Sequence, residues 1–209
     1  MDLMVRTLEE VTKAIQKAPC KQCDIHPVLT WLVKKFVDQL GPTITAMIGL
    51  SFMQGYFPAS QKHAIVRPHL KKPSLDPLDI KSYQPILNIS FISKLTERLV
   101  VERFNNHASA HHLLPAKQSV YRQYHSTETA ITIVHNDIVR AIDAGNVSAL
   151  VLLDLSAAFD TIDHDVLLDV LSKRFGVVSK ALDWCKSCLS ERTVFMRCVR
   201  NIEPDETYM

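Results

Sequence analysis

Residues 148–165 read SALVLLDLSAAFDTIDHD, and how this stretch is read decides the fold. Residues 149–153 are an apolar run that ends on a carboxylate, Asp154. The small residues Ser156, Ala157 and Ala158 follow, then Phe159, then three more acids at Asp160, Asp163 and Asp165. Five consecutive apolar residues rich in Val and Leu predict a buried strand. The acid at its C-terminal end has two readings. It caps the turn or helix that follows, or it binds a cation, because a carboxylate is costly to bury unless it is paired or metal-bound. These residues alone leave both readings open.

The rest of the chain bounds the choice. With 209 residues, 47% of them apolar and 22% charged, the chain is long enough for one packed domain and its composition is that of a globular protein. Only five glycines occur, with no GxGxxG or Walker pattern, which points to a helix-rich chain without glycine-rich phosphate loops. A net charge of +2 identifies no partner. No run of 18 apolar residues exists, so a spanning helix is not expected, and the acidic N-terminus lacks a signal-peptide core. An intracellular, reducing compartment in nucleus or cytoplasm is the expectation, with the five cysteines as free thiols. Cys20-x2-Cys23 and Cys185-x2-Cys188 have zinc-like spacing, but they lie near opposite ends of the chain. The second pair also sits in a Trp- and Leu-rich helical segment, which reads against zinc.

Helical stripes dominate the first third. Met4, Leu8, Val11 and Ile15 share one face, and Val28, Leu29, Leu32, Val33, Phe36 and Leu40 recur at helical spacing behind Pro27. Gly41-Pro42 is predicted to break that helix, and Ile44, Met47, Ile48 and Phe52 start another that ends near Gly55. Trp31 and Trp184 are expected in the core. A short strand is predicted at 64–66, followed by a basic, proline-containing loop. Lys62, Arg67, Lys71, Lys72 and Lys81 against Asp76 and Asp79 give this segment a balance of 5 − 2 = +3, which suits a phosphate-contacting flap or an ordinary solvated loop. Residues 83–86 read as short and irregular. Ser93 is the expected N-cap of a helix carrying Leu95, Leu99, Val100 and Phe104. His107, His111 and His112 read as surface or helix-end residues. Ser126 is placed to cap a helix with Ala130, Ile131, Val134, Ile138, Ala141 and Ile142 on one face, stopped by Gly145. A further helix with Val166, Leu167, Val170, Leu171 and Phe175 ends at Gly176.

Three blocks then bear on function together. LKKPSLDPLDIKSYQPI at 70–86, QSVYRQYHSTETA at 118–130 and LVLLDLSAAFDTIDHDVLL at 150–168 resemble, in order, consecutive blocks of reverse transcriptases from LINE-type (non-LTR) retrotransposons, of the jockey and chicken-repeat kind. The resemblance runs from about residue 24 to residue 192. It implies an α+β, helix-rich fold, the fingers and partial palm of a right-hand polymerase. The implied organisation is an N-terminal helical lead-in over 1–26 and a partial reverse transcriptase domain over 27–209, comprising fingers 56–145, a first palm block 146–192 and a divergent tail 193–209. The implied chemistry is RNA-directed DNA synthesis, a nucleotidyl transfer supported by two Mg²⁺ ions, with an RNA template, a DNA primer and dNTPs as partners.

Carried over residue by residue, Asp154 matches the family's first metal-binding aspartate, and Leu155 would add its backbone carbonyl to the second metal. Phe159 matches the bulky residue beneath the incoming sugar that excludes a 2′-hydroxyl. Lys71 or Lys72 matches a fingers lysine that reaches the triphosphate. Arg67 belongs to the basic flap, and Arg122, His125 and Ser126 fall in a block expected to contact template or primer. Asp160, Asp163 and Asp165 read as turn and helix-start residues.

Departures from the pattern accompany the match. Gln84 stands where the family has arginine and supplies neither its charge nor its fork. Cys185 and Cys188 replace residues that are usually aromatic. After Arg192, residues 193–209 contain neither a PQGSVLGP-like block nor an FADD-like aspartate pair, and Asp205-Glu206 has no apolar strand before it. The expectation is therefore a fragment truncated after the first palm block, catalytically silent by itself. The alternative is a non-catalytic nucleic-acid-binding or protein-interaction remnant. The 149–153 strand is expected to lack its neighbours, leaving an uncovered apolar face.

Overall fold

Two apolar residues one helical turn apart, Val11 and Ile15, are completely buried and anchor the first helix, α1 (Leu8–Lys17). Thr7 caps it by accepting from the Glu10 backbone N–H, and each buried aliphatic contributes roughly 1.5–3 kcal/mol. The structure is a computed structural model and describes residues 7–20, 29–122, 124–154 and 161–196. Among these residues the elements after α1 are α2 (Thr30–Lys35), α3 (Val37–Gln54), β1 (His63–Leu70), β2 (Tyr83–Ile89), α4 (Phe91–Ala110), α5 (Thr127–Asp143), α6 (His164–Lys173), α7 (Lys180–Leu189) and β3 (Thr193–Met196).

The predicted break at Gly41-Pro42 is overturned. The chain breaks earlier, at Phe36, and α3 runs through both residues. Gly41 serves a crossing rather than a stop. A Cβ there would meet Leu8 Cδ1 at 3.3 Å and the Thr12 hydroxyl at 3.6 Å, so α1 and α3 approach closely at this point. Pro42, the sixth residue of α3, costs the helix the N–H bond to the Asp38 carbonyl. The shifted break also corrects the expectation for Trp31, which is 50% exposed, and for Phe36, Leu40 and Met47, which reach solvent.

Ile44, Ile48 and Phe52 of α3 are buried, and together with Leu95 and Leu99 of α4 and Ala181, Trp184 and Cys188 of α7 they form the core. Trp184 lies edge-on to Phe52 and Phe57 at centroid distances of 5.6 and 5.2 Å. Its indole N–H donates to the Ser51 hydroxyl at 3.0 Å, and that hydroxyl donates to the Tyr56 carbonyl at 2.6 Å. Between them Gly55 ends α3 in the left-handed region, φ +66, where a Cβ would lie 3.0 Å from the Lys180 carbonyl oxygen.

The sheet has the order β2-β1-β3, antiparallel between β1 and β2 and parallel between β1 and β3. The strand predicted at 64–66 is too short, and residues 83–86, read as irregular, are strand. β1 continues from the apolar Ala64 and Val66 through Arg67, Pro68 and His69, and residues 83–86 are the first half of β2. The register explains how prolines fit. Pro68 faces Pro85, so the two missing amide donors fall on a single rung and every other rung keeps its own.

Ser90, not Ser93, caps α4, accepting from the Ser93 N–H at 3.1 Å. Ser93 is buried and donates to the Gln61 carbonyl. Glu10 of α1 accepts two hydrogen bonds from Arg103 of α4, at 2.7 and 2.9 Å. Ser126 caps α5 in a capping box with Thr129, and Asp163 caps α6, accepting from the N–H groups of Asp165 and Val166. Both caps stand where the sequence put them.

The decisive stretch departs most from expectation. Residues 146–154 form no strand. Leu150, Val151, Leu152 and Leu153 are exposed, Leu153 by 89%. The flanks of β1 are taken by β2 and β3, and among the described residues no other strand offers these backbone groups a ladder. Neither α5 nor α6 contributes a buried residue. The apolar face expected to lie uncovered does so.

Candidate functional site

The sites expected from sequence occupy three places. The first is the β1–β2 hairpin. Arg67 lies on β1 opposite Ile86, and Lys71 and Lys72 follow the end of the strand. Its connection is built on two Asx turns, in which Asp76 accepts from the Leu78 N–H and Asp79 from the Lys81 N–H, both at 2.9 Å. The Tyr83 hydroxyl donates to the Pro77 carbonyl. These bonds hold the loop in one shape, with Leu78 and Ile80 about nine-tenths exposed at its tip. Lys71 donates to the Lys81 carbonyl at 2.9 Å, so it clasps the two ends of the connection. Lys72 is exposed beside it. Gln84 on β2 faces His69, so the rung where the resembling proteins carry arginine holds an amide and an imidazole.

The second place is a cleft of about 550 Å³ between α4 and the 113–125 connector, lined among the described residues by Arg98, Glu102, Asn105, Tyr121, Arg122 and His125 with others. It unites two residues named from sequence, Arg122 and His125. Arg122 is partly committed to the loop. Its Nη1 donates to the carbonyls of Pro115, Ala116 and Gln118 at 3.1–3.2 Å, which fixes the guanidinium plane. His125 Nδ1 lies 3.3 Å from the Ser119 hydroxyl. Ser126, also named from sequence as a nucleic-acid contact, instead spends its hydroxyl on the α5 cap. Lys117 ties this connector to α5 through Asp137, and that ammonium holds the Asp137 carboxyl below its ordinary range. Two non-glycine residues of the connector, Tyr121 and Tyr124, and His112 just before it adopt positive φ, at a cost of order 1–3 kcal/mol each. Such strain is kept where the surrounding structure demands one conformation.

The third place is Asp154, exposed at the end of the 146–154 segment. Its carboxylate makes no hydrogen bond or ion pair with the described residues and joins neither the hairpin nor the cleft. Leu155 and Phe159, the expected partners in the nucleotide pocket, lie outside the described residues, as do Asp160 and Cys23. In kind, Asp154 suits a hard divalent cation, which takes oxygen donors. In number it does not make a site, because among the described residues no group of three His, Cys, Asp or Glu side chains converges.

The histidines and cysteines add no metal centre among these residues. His107 sits 2.8 Å from the Phe175 carbonyl, joining α4 to the end of α6, and packs tilted against His111 with ring centroids 4.7 Å apart. Burial pushes the Cys185 thiol up to about 11 and also raises that of Cys188, which keeps both as thiols and disfavours thiolate ligation. Arg192 donates to the Cys188 carbonyl and to Glu97, fastening the start of β3 to α7 and α4.

Sequence reasoning missed the α4 wall of the cleft. Arg98, Glu102, Asn105 and Ser109 recur at i, i+4, i+7 and i+11, on the face flanking the Leu95–Leu99 stripe. That polar stripe was legible as a helix face, but only the fold shows that the connector closes over it.

Comparison with known proteins gives one family. Residues 70–208 match the family described as reverse transcriptase (RNA-dependent DNA polymerase). The chain is 30% identical over 199 residues to a probable RNA-directed DNA polymerase from transposon BS of Drosophila melanogaster, covering 93% of the chain and 21% of that protein. It is 29% identical over 195 residues to the RNA-directed DNA polymerase from mobile element jockey of the same species, covering 92% and 21%. It is 28% identical over 163 residues to the jockey polymerase of Drosophila funebris, covering 78% and 18%. The chain thus spans about a fifth of the length of these curated relatives.

Proposed function

The chain belongs to the reverse transcriptase (RNA-dependent DNA polymerase) family, and from that premise we propose that it serves RNA-templated DNA synthesis of the LINE type. Its part is the fingers, over 56–145, and the first carboxylate of the palm, over 146–192. The observation that carries this reading is the ordered family match over 70–208, which includes both a basic hairpin and Asp154.

In this reading the hairpin and the cleft grip nucleic acid, and Asp154 delivers one oxygen ligand. Two Mg²⁺ ions, when bound, would supply the charge neutralisation for phosphoryl transfer, and Asp154 would hold them with further carboxylates; among the described residues no group of three ligand side chains converges to do so. What these residues do themselves is bind and orient. Lys72 meets the phosphates at the hairpin, while Lys71 holds the loop closed by its bond to Lys81. Phe159 and the backbone of Leu155 would shape the nucleotide pocket beside Asp154.

Binding by phosphate contacts must weaken with salt. A primed RNA template titrated with the chain at several salt concentrations should give a log–log slope reporting a few released counterions, and Lys72→Gln should lower that slope by about one. No binding at low salt would sink the reading.

A further inference from the structure

We propose that residues 147–153 of one copy of this chain pair with the outer edge of β3 in a second copy, and that two copies exchange these segments reciprocally. The inference goes beyond the polymerase reading and does not depend on it. Two unmet sets of backbone groups, both in this chain, carry it.

The first set is the edge of β3. The Thr193 N–H donates to the Lys62 carbonyl at 3.3 Å, so Thr193 and Phe195 turn their backbone groups toward β1. Alternation along the strand then points the N–H and C=O groups of Val194 and Met196 outward, where no described residue meets them. Val194, Phe195 and Met196 are 56–72% exposed. Proline blunts the other borders of the sheet. The Lys71 N–H donates to the Ser82 carbonyl, which makes 71 and 82 a hydrogen-bonded pair and places Pro85 among the outward-facing positions of β2. The same alternation places Pro68 on the side of β1 that extends past Met196. A proline brings no donor to an edge, so both borders resist an added strand. Val194 and Met196 each bring one.

The second set belongs to residues 147–153, VSALVLL, which hold no charge and no proline. Their backbone groups make no hydrogen bond with the described residues, and neither flanking helix, α5 or α6, anchors the segment with a fully buried side chain. The composition is that of a strand that lacks only a neighbour. Number decides which neighbour it takes. Each copy carries one such edge and one such segment, and its own three-stranded sheet does not include the segment. Two copies related by a two-fold axis satisfy both edges and both segments with no group left over. A foreign strand on β3 would leave the segment unpaired. Charge does not oppose the contact, because neither 147–153 nor 194–196 holds an ionisable side chain.

The test uses the 209-residue chain in sedimentation velocity across a concentration series, with amide hydrogen exchange read at the lowest and highest concentrations. The parent chain should reach a dimer and stop there. The amides of residues 147–153, Val194 and Met196 should slow only at the dimeric concentration. Val194→Pro removes an outward donor and leaves the rungs to β1, and Met196→Lys sets a charge on the edge. Met196→Leu is the conservative control, and each variant is checked for an unchanged unfolding transition. Val194→Pro and Met196→Lys should each weaken dimerisation at least about tenfold, because a reciprocal dimer loses the altered contact twice. Met196→Leu should dimerise as the parent does.

Dimerisation unchanged by both edge variants would overturn the proposal and leave two 147–153 segments pairing with each other. Parent assemblies that keep growing with concentration would overturn the reciprocal exchange. So would a monomer that already protects the same amides, since the chain would then have closed on itself. A parent chain that is monomeric at every concentration, with those amides exchanging fast, would overturn it as well. None of these outcomes touches the binding of a primed template, so the polymerase reading stands or falls separately.

Discussion

A Leu152→Ser, Leu153→Ser double variant will remain monomeric at concentrations where the parent chain self-associates. Residues 147–153 carry no charge and no proline, and Val147, Val151, Leu152 and Leu153 are between 76% and 100% exposed. The segment has no secondary structure, its backbone groups are unpaired in any ladder among the described residues, and α5 and α6 beside it in sequence contribute no fully buried residue. Such a segment is a template for pairing with another chain. Withdrawing two leucines from water is worth roughly 3–6 kcal/mol, or roughly a hundred- to ten-thousand-fold in an association constant. Sedimentation velocity across a concentration series reads this directly. A parent chain that stays monomeric throughout, with the double variant indistinguishable from it, would show that the apolar run is harmless.

A Trp184→Ala variant will lose about 3–5 kcal/mol of unfolding free energy, enough to remove most of the stability of a domain this size. Trp184 is 3% exposed, packs edge-on against Phe52 and Phe57, and its N–H engages the Ser51 hydroxyl that also holds the Tyr56 carbonyl. Truncation leaves a cavity and removes the donor from a hydroxyl inside the core. The damage reaches the nucleic-acid side, because the turn at Gly55, Tyr56 and Phe57 leads into β1 and so positions the basic hairpin. Urea unfolding followed by circular dichroism measures the loss. Trp184→Phe keeps the aromatic contacts and should recover more than half of it. A loss under about 1 kcal/mol for the alanine variant would contradict the packing described.

Much of the scaffold was legible because it depends on local periodicity. Val11 with Ile15, Ile44 with Ile48 and Phe52, and Leu95 with Leu99 are core faces readable at helical spacing, and Ser126 and Asp163 cap where short polar side chains precede apolar stripes. The misreadings share a physical cause: tertiary context overrode a local signal. Gly41 looked like a stop, yet it makes room for α1, and α3 continues through Pro42. Residues 83–86 looked irregular because of Pro85, which becomes acceptable only when β1 sets Pro68 opposite. Ser90 outcompetes Ser93 as a cap because Ser93 turns inward to the Gln61 carbonyl.

The site divides the same way. Asp154, Lys72 and Arg122 were visible as residues with chemistry, since charge and spacing are properties of the chain. That Lys71 and Ser126 are occupied by local bonds was not visible, because those bonds depend on how the loops close. The 149–153 run had the composition of a buried strand, but burial needs neighbours that composition cannot supply. Arg98 was overlooked for the converse reason, as an ordinary polar position until the connector folds across α4.

The central proposal is that this chain grips a primed template and that Asp154 is one metal ligand, while among the described residues no group of three ligand side chains converges to hold the metals. Primer extension on an RNA template with Mg²⁺ and dNTPs, resolved on a native gel that reports both the complex and the product, tests it most directly. The account predicts a shifted primer–template with no extended primer, the same for the wild-type chain and for Asp154→Ala. Extension by the wild-type chain that Asp154→Ala abolishes would contradict it.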